Sequence, residues 1–385
     1  MALLEKLMLA VILPSFFMGC HSETGNLYEF NPVSISENTI SLSEIADDVY
    51  YIPLDNYYPM GLIYDNIEFI NGAIYLSVKD VGVLYFNRDG KLVKKIGAAG
   101  RGPGEYLYCY SFVVDNKSET IYVNNRPGLK VYSKDGKFLK ELSLKEYGYI
   151  SEIKTFNSNL YAFYEIQDEG CNYKWILVDS SGIISHKQRI TTAPFKSGVG
   201  GGVGICMNNN KLTYWNGNFD DTIFSILPDL SEKPFLKVSS GEFRLPKNKI
   251  IYPNEVDKFF SIANLIETNN FIMIRYFCNE KKYFAIIDKR TTEKYTTYWD
   301  FDGSGGIVND IDCGIDFLPV VYFTENDREF LVAKINPYQI IHHQQSSRFK
   351  DMFTIYPEKK RKFEDLANSL KETDNPVLMI VRLNK

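Results

Sequence analysis

The sequence predicts an all-β protein of β-propeller type, with six blades as the preferred number. Three observations support this prediction: a high content of aromatic residues, an internal repeat, and a short apolar strand near each end. The chain has 385 residues, among them 27 Tyr and 26 Phe, and such a composition favours many short strands over long helices. Its length exceeds that of one ordinary compact core, so it forms either two domains or a repeat architecture.

The internal repeat decides in favour of the repeat architecture. Residues 73–92 and residues 120–139 are near copies, because each holds two apolar strands and an Asp-Gly turn, and residues 160–182 form a weaker third copy. The turn glycines follow at a constant step of 46 residues (136 − 90 and 182 − 136): Gly90, Gly136 and Gly182. A period in the forties with several strands per unit is typical of propeller blades.

The number of blades follows from this period and from the length of the chain. About 345 residues follow Ile40, which corresponds to roughly seven periods, and long loops with a terminal helix reduce the number to six. Seven blades remain the alternative. Residues 49–52 and 377–381 are short apolar strands that we expect to pair and close the ring. Pro357 begins the predicted C-terminal helix, whose apolar residues recur at helical spacing: Phe363, Leu366, Ala367 and Leu370.

The N-terminus is typical of an exported protein. Lys6 precedes an apolar stretch, residues 7–17, which is too short to span a bilayer. Residues 17–20 (FMGC) resemble the bacterial lipobox, with Phe17 in place of the usual Leu. We therefore predict a lipoprotein signal peptide over 1–19, a lipidated Cys20, a linker over 20–39 and one propeller domain over 40–385. The alternative is ordinary secretory cleavage.

Charge and cysteine content exclude several classes of function. The net charge is −5 and there is no long basic stripe, so nucleic acid is not an expected partner. The basic run 359–362 is interpreted as a solvated helix face, since acidic residues interrupt it. Five cysteines besides Cys20 show neither a disulfide pattern nor zinc-binding spacing, and we expect them to be small buried residues in strands: Cys109, Cys171, Cys206, Cys278 and Cys313.

Four segments carry a resemblance to a known family, and together they span most of the chain. They are residues 40–48 (ISLSEIADD) with 51–54 (YIPL), 100–106 (GRGPGEY), 220–224 (DDTIF) and 374–378 (DNPVL). The sequence is similar to the six-bladed propeller lipoproteins of Bacteroides-type bacteria, which are NHL-repeat-like or TolB-like propellers. This resemblance implies the architecture and export, but no general activity.

The candidate ligand contacts are charged and aromatic residues of the predicted loops. Arg101, Glu105 and Tyr106 belong to the connection between the first two repeats, which we place at the mouth of the central channel. The alternative is that this segment is only a tight turn fixed by Gly and Pro, with Glu105 bound to a backbone amide or to an arginine. The remaining candidates lie further along the chain: Arg126, Trp215, Tyr252 and Arg275.

Cofactor motifs are few. The glycine-rich stretch 197–204 lacks the Lys-Ser or Lys-Thr of a phosphate-binding loop, so we interpret it as a loop between blades. We expect no cofactor. Calcium is the alternative, because the acidic pairs 220–221 and 310–312 offer the oxygen ligands that it binds. The four histidines form no zinc motif, and no serine-hydrolase motif occurs.

The leading hypothesis is a non-catalytic binding or scaffold protein of the cell envelope, monomeric and attached to the membrane only through its lipid anchor. Its expected partner is a glycan, a peptide or an envelope protein at the channel mouth, on the periplasmic side or at the cell surface. The alternative is a hydrolase or lyase of the lactonase-like propeller type that uses loop carboxylates with calcium.

Overall fold

Six antiparallel sheets of four strands each follow one another along the chain. The computed structural model describes residues 27–34, 37–164, 172–179, 181–190, 202–208, 211–216, 221–246, 251–300 and 305–385. The first strand of each sheet packs against the first strand of the next, and the sixth packs against the first. The sheets therefore form a closed ring, and the predicted six-bladed propeller is confirmed.

In the described part of the N-terminal segment, two strands and one short helix precede the first blade: β1 (Tyr28–Phe30), α1 (Leu42–Ile45) and β2 (Ala46–Pro53). Blade 1 consists of β3 (Ile63–Ile70), β4 (Ala73–Val78), β5 (Gly82–Phe86) and β6 (Leu92–Ile96). A two-stranded link follows, β7 (Ala98–Ala99) and β8 (Glu105–Tyr106). Blade 2 consists of β9 (Ser111–Val114), β10 (Ile121–Asn124), β11 (Gly128–Tyr132) and β12 (Phe138–Ser143).

Blades 3 to 5 repeat the same order of strands. Blade 3 consists of β13 (Ile150–Phe156), β14 (Asn159–Tyr164), β15 (Tyr173–Val178) and β16 (Ile184–Arg189). Blade 4 consists of β17 (Val203–Asn208), β18 (Lys211–Asn216), β19 (Thr222–Ile226) and β20 (Glu232–Val238). Blade 5 consists of β21 (Ser261–Glu267), β22 (Phe271–Cys278), β23 (Lys281–Asp288) and β24 (Lys294–Tyr298).

Blade 6 is built from both ends of the chain. Its strands are β25 (Val321–Glu325), β26 (Arg328–Ile335), β27 (Val377–Leu383) and the N-terminal β2, which pairs with β27 along its whole length. Leu378, Ile380 and Val381 are fully buried in this sheet. The predicted pairing of the terminal strands is confirmed, and it removes an open seam from the ring.

The repeated turns have the conformation that their glycines permit. Gly90, Gly136 and Gly182 adopt φ values of 76°, 74° and 95°, a region that is open to glycine without a steric cost. Neighbouring blades cover both faces of the central strands of each sheet, so a strand such as β4 is buried at every position. This burial explains the continuous apolar runs of the repeat.

Part of the predicted linker belongs to the ring. β1 lies parallel to β20 and adds a fifth strand to blade 4, and Phe30 is buried with its ring centroid 5.3 Å from that of Tyr276. Further along, the Asn38 amide donates to the Thr296 carbonyl of blade 5 at 2.9 Å. The N-terminal segment thus contacts blades 4 and 5 before it joins blade 6 as β2.

Three helices lie between β26 and β27: α2 (Pro337–Gln345), α3 (Ser347–Asp351) and α4 (Pro357–Ser369). The predicted C-terminal helix is α4, and α2 and α3 were not expected. Each of the three helices contributes an apolar residue to the buried cluster that forms the core of blades 5 and 6: Ile340, Phe349 and Phe363. Among the described helices none is long and apolar enough to cross a membrane.

The course of the strands defines two faces of the ring. Every blade begins with its innermost strand, so the connections between blades and those between second and third strands lie on one face, which we call the mouth face. It includes residues 97–110, residues 144–149 and the helical insertion 336–376. The opposite face, which we call the turn face, carries the short hairpins between first and second strands, such as 71–72 and 326–327.

Candidate functional site

The loop that joins blades 1 and 2 belongs to the mouth face, but residues 97–106 pack against the outer strands of the blades and not beside the central channel. The Tyr106 hydroxyl is buried, where it donates to the Ile96 carbonyl at 2.6 Å and accepts from the Val83 amide at 2.9 Å. A Cβ on Gly104 would lie 2.7 Å from the Cβ of Phe138, which begins the outermost strand of blade 2. Glycine therefore lets the loop pack between blades at their outer strands, and the predicted mouth position is corrected.

Within this loop, Glu105 and Arg101 have different surroundings. The Glu105 carboxylate accepts from the Gly102 amide at 2.8 Å, which is the turn-stabilising role that the sequence left as an alternative. Arg101 is exposed at the tip of the loop. A binding role for Arg101 stays a prediction, at the outer edge of blades 1 and 2.

Two predicted contact residues have no surface to offer a ligand. Tyr106 is 2% exposed and Trp215 is 4% exposed. Gly204 on the neighbouring strand lies flat against the Trp215 indole, since a Cβ there would approach a ring atom to 2.0 Å. Both side chains hold blades together, and their predicted roles as ligand contacts are corrected.

Arg126 and Tyr110 form the best-defined part of the mouth face. The Arg126 guanidinium lies 4.2 Å from the centroid of the Tyr110 ring, within the range of a cation–π interaction. Arg126 Nε also donates to the Ile150 carbonyl at 2.6 Å. This contact fixes Arg126 at the junction of blades 2 and 3, where the innermost strand β13 begins.

Further exposed tyrosines lie on the connections between blades: Tyr108 is next to Tyr110, with the two ring centroids 5.8 Å apart, Tyr149 precedes Ile150, and Tyr252 lies between blades 4 and 5. The exposed fraction is 62% for Tyr108, 66% for Tyr149 and 63% for Tyr252. Tyr252 precedes a short 3₁₀ helix over 253–258. Tyrosines with this exposure on one face of a ring form an amphipathic surface, because each presents an apolar ring together with a polar hydroxyl.

The channel itself contains an ion pair between blades that are not neighbours. Lys154 Nζ on β13 of blade 3 lies 2.5 Å from Glu68 Oε1 on β3 of blade 1. Blade 2 separates these blades along the ring, so the two side chains meet across the channel. Both are partly buried, with 23% and 12% of their side chains exposed.

Glu152 lies two residues before Lys154 on the same innermost strand. Burial raises the pKa of its carboxyl to about 8, although the charges of Lys154 and Arg126 and a hydrogen bond with Ser111 favour the ionised form. At neutral pH the folded protein therefore keeps much of Glu152 protonated, and a protonated carboxyl donates a hydrogen bond. The sequence did not single out this residue, since its partners Ser111 and Arg126 come from a different blade, on strand β9 and on the hairpin after β10.

Arg275 occupies the second strand of blade 5 and not the rim. It is partly buried, and its guanidinium lies 5.5 Å from the centroid of the Trp299 ring. This contact is within blade 5 and the connection that follows it. A ligand-binding role for Arg275 stays a prediction.

A second charged cluster lies between blades 4 and 5, toward the turn face. Glu267 is buried, and its Oε1 lies 2.8 Å from both Lys211 Nζ and Lys289 Nζ. The Cys206 thiol is close by, and burial together with the Glu267 charge raises its pKa. Lys211 belongs to blade 4, whereas Glu267 and Lys289 belong to blade 5, so the ion pair between Lys211 and Glu267 ties the two blades together.

The acidic pairs considered for calcium have protein partners. Asp221 lies 2.6 Å from Arg244, and Asp310 accepts from the Ser43 amide at 2.9 Å. Asp312 is buried and accepts from the Asn309 side chain at 2.6 Å and from the Gly314 amide at 2.8 Å. Among the described residues, no group of three or more His, Cys, Asp or Glu side chains is placed to hold a metal ion.

Some predictions fall on residues outside those that the structure describes: the leader with Cys20, Cys171, Asp220 and most of the glycine-rich stretch 197–204. Of the cysteines expected in strands, Cys206 and Cys278 lie on β17 and β22. Cys109 and Cys313 lie in connections between blades instead. These four described cysteines are all free thiols.

The fold and the channel define the class of this protein: a single-chain six-bladed β-propeller, sealed by its terminal strands, with charged residues across its axis. The sequence profile of the domain of unknown function DUF4934 matches residues 28–382. The chain therefore belongs to the DUF4934 family.

Solved structures share this architecture. The chain is similar to an exported protein from Bacteroides fragilis, at 19% identity and a TM-score of 0.65, over 94% of this chain and 100% of that chain. It is also similar to a member of the DUF4221 family from Bacteroides vulgatus, at 11% identity and a TM-score of 0.48, over 88% and 97%. The first similarity supports the fold. A comparison with curated proteins found no significant match.

Proposed function

We propose that this chain is an envelope-anchored binding protein that recognises a polypeptide partner through the mouth face. The observation that carries the proposal is the set of exposed tyrosines on the mouth face, together with Arg126. Tyrosine and arginine are enriched where proteins bind one another, because tyrosine offers a large contact area with few rotatable bonds and arginine offers a planar group with five hydrogen-bond donors. Arg126 is already held by Tyr110 and by the Ile150 carbonyl, so it loses little conformational freedom on binding.

The extent of the surface supports a partner larger than a small molecule. Tyr149 belongs to the connection between blades 2 and 3, whereas Tyr252 belongs to the connection between blades 4 and 5. The helical insertion on the same face adds Phe353 and Ile355, which are 82% and 72% exposed. Exposed apolar residues that are this numerous on one face mark an interaction surface.

The channel chemistry supports binding over the alternative of a hydrolase or lyase. A lactonase-like site requires several carboxylates that converge on a metal ion. Here Glu68 is paired with Lys154, and burial favours the protonated form of Glu152. The Lys154–Glu68 ion pair and a protonated Glu152 fix the channel wall, and the exposed tyrosines of the mouth face are left as the surface for recognition.

We also propose that Cys20 carries a lipid anchor, that residues 1–19 are removed, and that the protein is an NHL-like propeller lipoprotein of the outer membrane, exposed to the periplasm or at the cell surface. The FMGC segment supports this proposal. β1 begins eight residues after Cys20, and an extended segment of that length spans at most about 28 Å. The propeller would therefore be held close to the membrane. Radiolabelled palmitate should enter the wild-type protein and not the Cys20→Ala variant.

Site-specific photo-crosslinking tests the mouth face. A photoreactive phenylalanine analogue is introduced in the host bacterium at Tyr149 or Tyr252, and at Ile183 as the control. Ile183 is 65% exposed but lies in a turn of blade 3 on the opposite face. We expect a defined band of higher mass from both mouth positions and none from position 183.

The Tyr110→Ala and Arg126→Ala variants connect this band to the proposed contacts. Loss of a central Tyr or Arg contact typically costs about 2 kcal/mol or more, which corresponds to roughly a 30-fold loss of affinity. We therefore expect either substitution to remove the crosslinked band. Bands of equal intensity from position 183, or bands unaffected by both substitutions, would contradict the proposal.

A further inference from the structure

The turn face has a cleft where the ring closes. It occupies about 290 Å³ and lies between blades 6 and 1, with one residue from blade 2 at its edge. The mouth face is at the other end of the channel, so this cleft is separate from the surface described above. Its volume is at the lower end of ligand pockets, which typically measure about 300–1,000 Å³. Such a cleft admits a small unit and excludes a folded domain.

The apolar part of the cleft is aromatic. Phe69 of blade 1 and Phe323 of blade 6 stack in parallel with their ring centroids 4.2 Å apart, and both are only partly buried. Tyr50, on the outer strand β2, is 42% exposed and completes this lining. Phe330 stacks on the other face of Phe323, with ring centroids 4.9 Å apart, so the Tyr50 ring and the edges of the phenylalanine stack form the aromatic surface of the cleft. Aromatic rings carry a negative quadrupole on their faces and attract polarised C–H groups, such as those of pyranose rings.

The polar part of the cleft consists of amide side chains on tight turns. Asn71 and Asn326 occupy the first position of equivalent hairpin turns in blades 1 and 6, with φ values of 50° at both residues. Asn116, from a turn of blade 2, lies at the same cleft. Each amide both donates and accepts hydrogen bonds, as each hydroxyl of a sugar does.

The charges at the cleft cancel. Arg88 Nη2 lies 2.5 Å from Glu325 Oε1, and Gly72 lies beside the guanidinium with no side chain to displace it. A pair closed in this way offers no net charge to an anion or a cation. A neutral ligand with many hydroxyl groups fits such a lining better than a phosphate or an acidic peptide.

We propose that the cleft between blades 6 and 1 binds a neutral hexopyranose oligosaccharide. One sugar ring lies against Tyr50 and the edges of the Phe69–Phe323 stack, and the sugar hydroxyls bond to Asn71, Asn116 and Asn326. The pseudosymmetric asparagine turns hold the two edges of the sugar. This site gives the propeller a glycan contact on the face opposite to its polypeptide surface, and it does not depend on the function proposed for that surface.

Isothermal titration calorimetry of the full chain in mild detergent tests the site with three probes: maltohexaose, laminarihexaose and mannohexaose. We expect at least one to bind with a Kd of about 1 mM or tighter. The Asn71→Gly/Asn326→Gly variant removes both amides and keeps the turns, because glycine adopts the required positive φ. We expect about tenfold weaker binding, since each neutral hydrogen bond contributes about 0.5–1.5 kcal/mol.

The matched control is Asn157→Gly, at the equivalent turn of blade 3, where φ is 49°. It should leave the Kd unchanged. Tyr110→Ala on the mouth face should leave it unchanged as well. The proposal is overturned if none of the three probes binds, if the double variant binds as the wild type does, or if Tyr110→Ala abolishes binding.

Discussion

Replacing Glu152 by Gln should stabilise the protein at alkaline pH. Burial raises the pKa of this carboxyl from an ordinary value of 4.5 to about 8 in the folded chain. Below pH 4.5 both folded and unfolded chains hold the proton, so Glu152 imposes no penalty. Between pH 4.5 and 8 the unfolded chain ionises first, and the free energy of unfolding falls as the pH rises. Above pH 8 the penalty is constant.

The size of the effect follows from the difference between the two pKa values. At about 1.4 kcal/mol per pH unit the difference corresponds to roughly 5 kcal/mol as an upper bound. Glu152 is partly exposed and close to Lys154, so we expect roughly 2–3 kcal/mol. The neutral Gln side chain has the shape of the protonated carboxyl and escapes this penalty. It should raise the free energy of unfolding by this amount at pH 9 and by little at pH 4.5.

Urea denaturation of both chains at several pH values measures this difference. Subtracting the wild-type value from the variant value at each pH cancels every other titrating group, including Asp312, whose pKa burial raises to about 6. Glu146→Gln, in an exposed turn of the mouth face, is the matched control and should change the free energy of unfolding by less than about 0.5 kcal/mol. A Glu152→Gln difference that stays constant from pH 4.5 to 9 would refute the reasoning.

Two further predictions concern the ring. Leu378→Ala, in the buried closing strand, should lower the free energy of unfolding by about 2–5 kcal/mol because it leaves a cavity. The control Phe353→Ala, at an exposed position, should change the free energy of unfolding by less than about 0.5 kcal/mol. Equal effects of the two substitutions in urea denaturation would argue against closure by β27. Tyr106→Phe should cost about 1–3 kcal/mol, since the buried Val83 amide and Ile96 carbonyl lose their partner. An unchanged thermal unfolding midpoint for Tyr106→Phe would show that this link does not support the ring.

Much of the architecture could be predicted from local signals. The glycines at 90, 136 and 182 mark equivalent turns because only a residue without a Cβ adopts positive φ at no cost. The apolar strands at 49–52 and 377–381 are paired as expected. The helices α2 and α3 were missed because their buried residues, Ile340 and Phe349, lie within short and otherwise polar stretches.

The candidate site was predicted less well. Arg126 was singled out from the sequence, and the structure places it on the mouth face beside Tyr110. Tyr106 and Trp215 were also singled out, but both are buried between blades. An aromatic residue in a loop gives the same sequence pattern whether it faces solvent or a neighbouring blade, so local composition does not separate these cases.

The sequence by itself determined the repeat, the strands within each blade and the residues that close the ring, since period, alternation and turn chemistry are properties of neighbouring positions. Only the tertiary structure decided which side chains meet across the channel and at the closing seam. Glu68 pairs with Lys154, which lies 86 residues further along the sequence, and Phe69 stacks on Phe323 near the other end of the chain. Such contacts depend on the closure of the ring. Because closure places blade 6 beside blade 1, it brings together residues that are far apart in the sequence and that no local pattern relates.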